Sequence, residues 1–311
     1  MKTMLIFSGV DFMGMKRIAF VLSILLVVIS VGSIFTKGLN LGIDFTGGVL
    51  IEVGYQNAAD LPQIRGELQS AGFGAAQLQN FGTPRDVLIR LLPQEGDASS
   101  DAVGEQILAV LSAQDPTVVL RRVEFVGPQV GEELREQGGL AMLFALLFIM
   151  AYVSFRFQWK FSVGAVAALA HDVIITVGFF SVFNQPFDLA VLAAVLAVIG
   201  YSLNDTIVVF DRIRENFLRI RKSHAMEVMN VSINQTLSRT LITSMTTLLV
   251  LLALFFLGGE AIHAFAMALI VGVVIGTYSS IYVASSLALT LDVSTQDLMP
   301  PVVDKELDEM P

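Results

Sequence analysis

Five side chains occupy positions where polar groups are costly. His171 and Asp172, Asn204 and Asp205, and Arg239 all lie within or at the edge of long apolar stretches. An ionisable group inside such a stretch is a candidate for function by default. The chemistry open to this set is proton transfer. A carboxyl group in a low-dielectric setting holds its proton more firmly than in water, and a neighbouring guanidinium opposes that effect. Asp205 can then load and release a proton near neutral pH, as a relay requires. Arg239 keeps its own proton and would serve as a fixed countercharge. A static ion pair that fixes helix register accounts for the same two residues, and Arg239 is equally suited to snorkelling toward headgroups. His171 and Asp172 are neighbours, about 100° apart on a helix, so only one of them faces a given partner. An imidazole titrates where a proton shuttle must, or it can stay neutral and simply hydrogen-bond within the bundle.

The elements that hold these residues must be membrane helices. The chain has 311 residues, 54% of them hydrophobic and 15% charged, with a mean hydropathy of +0.71. Soluble domains carry roughly 25% charged residues. Six segments, 18–35, 138–155, 161–183, 189–210, 239–257 and 262–289, approach or exceed the roughly 20 apolar residues that cross a bilayer. Span one is longer than the core of a cleaved signal peptide and reads as an uncleaved signal-anchor. Lys16, Arg17, Arg156, Lys160, Arg212, Arg214 and Arg219 mark one side, joined by Lys2, Arg221 and Lys222. Loops 184–188 and 258–261 have no Lys or Arg. This alternation assigns both termini to the cytoplasm.

Within that frame Asp172 lies roughly 17 Å deep, and Asn204 and Asp205 approach the basic end of span four. Asp211 and Arg212 open a run, 211–216, that continues the helix, and a solvated charged helix end explains them without function. Residues 225–237 read as an interfacial helix returning to span five. The small and polar Gly272, Gly276, Thr277, Tyr278, Ser279 and Ser280 in span six allow close packing. Residues 4–15 either lie along the membrane surface or form a disordered end.

Between spans one and two, residues 37–137 have ordinary soluble composition. They read as strand 49–55, helix 59–71 with Asp60 as N-cap, strands 77–81 and 86–92 around a turn at 82–85, helix 100–112 capped by Ser99 or Ser100, and strand 117–126. That order is a ferredoxin-like βαββαβ unit. The chain divides into 1–36, 37–137, 138–290 and an acidic tail, 291–311. A net charge of −9 argues against nucleic acid. With no Cys and three His, no catalytic residue, metal or cofactor is expected; protons are the coupling species.

Four motifs carry a resemblance. They are Gly42-Ile43-Asp44-Phe45-Thr46-Gly47-Gly48 after span one, Ala170-His171-Asp172-Val173, the run from Gly200 through Asn204-Asp205 to Asn216, and the run from Leu237 through Arg239 to Ser244. Together they resemble the SecF family of bacterial protein-export subunits, a branch of the resistance–nodulation–division (RND) superfamily, over essentially the whole chain. The resemblance implies six helices forming half of an RND-type bundle, with Asp205 binding the transported proton and Arg239 as its partner. It places Gly42, Asp44, Phe45, Gly47 and Gly48 at a hinge-like exit from span one. It further implies an inner-membrane heterocomplex with SecD that serves the SecYEG translocon and an unfolded preprotein, with YajC as a further partner. Half of a small-molecule or lipid exporter, or a purely structural channel subunit, are the alternatives. One domain of about 100 residues counts against the first, and buried charge counts against the second.

Overall fold

The computed structural model describes residues 9–92, 100–220 and 223–293. Six helices in it are long and apolar enough to cross a membrane. They are α1 (Lys16–Lys37), α5 (Pro128–Arg156), α6 (Trp159–Val182), α7 (Leu189–Arg219), α8 (Ala225–Leu257) and a final span that begins with α9 (Glu260–Ser279). The final span continues through a π-helical turn (Ser280–Ala284) into α10 (Ser285–Thr290).

Burial sorts them into layers. In α6 and α7, 61% and 50% of the most apolar window is buried, against 11–17% in α1, α5 and α8. The first two are therefore the centre of the bundle, and the others turn Leu, Ile and Phe outward. Tight crossings fix α1 on this core. Ser33 and Ser181 hydroxyls meet at 2.9 Å, and the Tyr278 hydroxyl donates to the Ala19 carbonyl at 2.6 Å.

The segment between α1 and α5 folds as a small sheet domain. Its elements are β2 (Gly48–Gly54), α3 (Leu61–Ser70), β3 (Gln77–Phe81), β4 (Thr83–Leu91), α4 (Ser100–Ser112) and β5 (Val119–Val126), preceded by a two-residue β1 (Asn40–Leu41) and a one-turn α2 (Ile43–Thr46). The four long strands run antiparallel in the order β3-β4-β2-β5, the ferredoxin-like arrangement. Alternation in β2 sends Val49, Ile51 and Val53 inward against Ile64, Leu68, Ile107 and Leu111. Asp60 caps α3 by accepting from the Gln63 N–H, as its position predicts. Ser99 lies outside the described residues, as do the first residues of segment 4–15 and the tail beyond 293.

Three expectations change. Residues 225–237 are not a separate interfacial helix, because α8 runs unbroken through Arg239. It contains neither Gly nor Pro, and Ser232, Thr236 and Thr243 bond back to carbonyls one turn earlier without displacing the backbone ladder. The second span starts as a helix at Pro128, where proline suits the first turn, so its first turns stand outside the apolar stretch. The described part of the N-terminal segment is not a loose end but is fastened to the bundle. Asn230 and Asn234, one turn apart on α8, bond the backbone of Val10 and Met13. Phe12 and Met13 are buried in the bundle's end.

The exit of span one is shaped by glycine. Gly47 and Gly48 have φ of +68° and +120°, values that L side chains rarely adopt. A Cβ on Gly48 would also fall 2.2 Å from the Leu91 carbonyl oxygen. Gly38 shares the positive φ, at +74°, but has open space around it. Gly38→Ala is expected to cost on the order of 1–3 kcal/mol from backbone strain alone. Gly48→Ala should cost more, because a sheet strand must also move. Thermal melting of the two purified variants checks the order, and equal losses would refute it.

Candidate functional site

Both intramembrane carboxyl groups are buried inside the bundle. Asp172 on α6 and Asp205 on α7 are 1% and 8% exposed, and each is held by neutral hydroxyls. Asp205 accepts from Thr240 of α8 at 2.6 Å and from Ser280, the first residue of the π-turn, at 2.5 Å. Asp172 accepts from Ser202 of α7 and Ser279 of α9, both at 2.6 Å. Four helices thus contribute to one polar cluster in an otherwise apolar core.

The expected countercharge is placed differently. Spans four and five do pack together, yet the residue of α8 that reaches Asp205 is Thr240. Arg239, one position earlier, is turned about 100° away and is exposed. Among the described residues no ion pair joins it to Asp205, and its guanidinium acts on the carboxyl only at longer range. The reading of His171 and Asp172 as alternatives also changes. His171 Nδ1 lies 2.9 Å from Asp172 Oδ1, so the neighbours bind each other and both face inward. His171 Nε2 is buried without a partner among the described residues.

The remaining residues fall into two groups. Asn204 is exposed on α7, beside the cluster but outside it. Asp211 pairs with Arg156 at 3.1 Å and Arg212 with Glu215 at 2.8 Å, the solvated helix end expected of them. The sequence singled out Ser279 and Ser280 only as small packing residues and gave Ser202 and Thr240 no role of their own. Nothing in their spacing announces a π-turn, and hydroxyls are too common in spans to stand out.

At the other end of α7 the Gly42–Gly48 turn is wired to the same helix. The Asp44 carboxylate accepts from the Leu189 N–H at 2.9 Å, while Asp188 caps α7 through the Val191 N–H at 2.8 Å. Both anions lie at a helix N-terminus, where the dipole favours them. Phe45 is buried against Phe187, and β1 pairs in parallel with β6 (Pro186–Phe187). From the sheet domain, Arg90 on β4 donates to the Leu41 carbonyl and, at 2.9 Å, to the Thr46 hydroxyl. Burial lowers the Arg90 pKa below its ordinary value, and nearby Asp44 opposes that. Of these groups Asp44, Arg90 and Asp188 line a cleft of about 690 Å³ between sheet and bundle. Leu189 and Asp205 are roughly 24 Å apart along the helix.

A six-helix half-bundle with paired buried carboxyls and a ferredoxin-like domain between its first two spans defines a polytopic membrane protein of transporter type. Its sequence is more specific. Residues 106–294 match the family model described as protein export membrane protein SecD/SecF, C-terminal, and residues 32–59 match the SecD/SecF GG motif. Protein translocase subunit SecF of Vibrio alginolyticus is 55% identical over 97% of both chains, and that of Pseudomonas aeruginosa 51% identical over 97% of this chain and 98% of its own. The crystal structure of SecDF, a translocon-associated membrane protein from Thermus thermophilus, matches with a TM-score of 0.84 at 40% identity. It covers 92% of this chain, which spans 39% of that longer one. The chain belongs to the SecF family and serves in Sec protein export as a multi-pass subunit of the bacterial membrane.

Burial raises the Asp188 carboxyl pKa above its ordinary value, against the bond from Val191, and Asp44 adds to the rise. The folded chain then binds this proton more tightly than the unfolded one. The stabilisation is complete below the ordinary carboxylate range and is lost as pH rises through the raised value. Asp188→Asn keeps a cap acceptor but has no proton to lose. Its melting midpoint relative to the unsubstituted chain should therefore increase as pH goes from about 4 to about 7. A constant difference would contradict this.

Proposed function

We propose that the chain, paired with a SecD-type partner, couples proton movement through the bundle to late steps of preprotein passage through SecYEG. Asp205 is the principal proton-binding group and Asp172 a second. One observation carries the reading: two buried carboxyls are held by hydroxyls, with the His171 imidazole beside Asp172, rather than by arginine or lysine. A carboxyl locked in an ion pair gains little from a proton, because protonation would strand the buried cation. A carboxyl among hydroxyls is satisfied in both states, since a hydroxyl can donate or accept.

The same geometry suggests how the outside responds. A shift of α7 reaches the Gly42–Gly48 turn through Asp44 and Asp188, and from there reaches the sheet domain through Arg90. The positive-inside pattern puts that domain in the periplasm, where preprotein emerges, and both termini in the cytoplasm. Six helices form half of an RND-type bundle. Asn204 and Arg239 are exposed on apolar spans, where lipid would be a poor neighbour, and a SecD-type bundle would cover them. YajC is a further candidate in the complex. No metal or cofactor is needed, and the chain acts as a translocase accessory rather than as an enzyme.

Asp205→Asn keeps the shape and loses the titratable proton. Proton-gradient-dependent preprotein release from inverted vesicles is expected to fall to the level seen without a gradient, at unchanged membrane insertion. Normal release by that variant would instead favour a purely structural subunit. Arg239→Lys should retain more activity than Arg239→Met if the residue acts by long-range charge. Equal loss in the two would point to a contact specific to the guanidinium.

A further inference from the structure

The hydroxyls around the two carboxyls are not equivalent. Among the described residues, Ser202 and Thr240 each have one acceptor, a carboxyl oxygen. Ser279 and Ser280 each have two. Ser280 Oγ lies 2.5 Å from Asp205 Oδ2 and 3.1 Å from the carbonyl of Thr277 in its own helix. Ser279 Oγ lies 2.6 Å from Asp172 Oδ2 and 3.2 Å from the carbonyl of Gly276. A serine hydroxyl has one proton to give and lone pairs with which to accept, so it can serve only one of these acceptors at a time. Being consecutive, the two serines point about 100° apart, which lets one helix face Asp172 on α6 and Asp205 on α7 together. They stand where α9 passes into the π-turn, a rare geometry that recurs at functional sites. The Ser285 hydroxyl covers the Ser280 carbonyl at 3.1 Å.

We propose that Ser279 and Ser280 read whether Asp172 and Asp205 carry protons, each by turning its single hydroxyl proton between the carboxyl group and its own helix. When the carboxyl is ionised, the serine O–H donates to it, because a charged acceptor makes the stronger bond. When a proton binds, it resides on the carboxyl oxygen and is donated to the serine oxygen. The serine proton then turns to the carbonyl three residues back. The arriving proton is released by a hydronium ion of the aqueous phase, so one O–H bond breaks there and one forms on the carboxyl, while none breaks in the serine. The final span thereby registers both titrations through adjacent residues, and Ser279 and Ser280 are positioning residues rather than proton carriers. The other ionisable groups nearby are His171, bonded to Asp172, Arg239, at longer range from Asp205, and Tyr278, whose ring stacks on His171 at 6.2 Å.

This inference rests on the proton-coupled reading, but it has its own test. Infrared difference spectra of the full chain in its membrane complex, recorded between high and low pH, would contain a carboxyl carbonyl band for each protonated aspartate. Asp172→Asn and Asp205→Asn each remove one band and so assign them. Ser280→Ala should move the Asp205 band to higher frequency, change proton affinity there about ten-fold, and leave the Asp172 band in place. Ser279→Ala should do the converse, and Ser280→Thr, which keeps the hydroxyl, should restore the original band. Should Ser280→Ala leave the Asp205 band unmoved, or shift both bands alike, the proposal is overturned, even if Asp205→Asn still abolishes export. If the bands respond as expected while Asp205→Asn exports normally, the serines are readers but proton coupling of export fails.

Discussion

Two carboxyl groups buried in an apolar bundle impose the central constraint on this molecule. Every donor they need must come from the helices, because neither lipid nor aliphatic side chains can supply one. A bundle can meet that need with cations or with hydroxyls. Here the close partners are hydroxyls, with one imidazole, and Arg239, next in sequence to the partner Thr240, is exposed. Bonds to a charged group contribute about 1.5–3 kcal/mol each, so two hydroxyls go some way toward making an ionised carboxyl tolerable. They also leave it free to become neutral. The donors come from where α7, α8 and α9 pack together, and the last span departs from α-helical geometry at that same place.

The same helix that carries Asp205 is gripped at its far end by the turn leaving span one. Asp44 occupies the helix N-terminus, the parallel β1–β6 pair stitches the flanking chain to it, and Arg90 reaches down from the sheet domain onto the turn. The glycines permit this compactness. A side chain at Gly47 would collide with Pro128, where α5 begins, and one at Gly48 with Leu91 on the neighbouring strand, so a larger residue at the first would push the domain from the bundle and one at the second would disturb the sheet itself. A polar cleft remains beside the contact, leaving room for the domain to shift against the membrane part.

Much of this was legible in the sequence because it depends on pattern. Six apolar runs, the alternation of Val49, Ile51 and Val53, the cap at Asp60 and the double glycine each have a direct physical meaning. The charged residues were legible as candidates but not as partners. Charge drew attention to Arg239, whereas the contact belongs to Thr240, and a single-residue difference on a helix changes the face entirely. Ser279 and Ser280 were seen as small rather than as donors, because a π-turn leaves no mark in spacing or composition. The continuity of α8 was missed for a related reason, since amphipathicity followed by apolarity suggests two elements unless one asks what would break the helix.

Asn230 and Asn234 hold residues 10–13 against α8, and α1 begins only three positions after Met13. A fully extended stretch of three residues spans at most roughly 10 Å. The chain's early residues thus form a short tether between the first and fifth spans, which are otherwise separated by the core. While those amide contacts hold, the base of α8 cannot swing away from α1 by more than that leash permits.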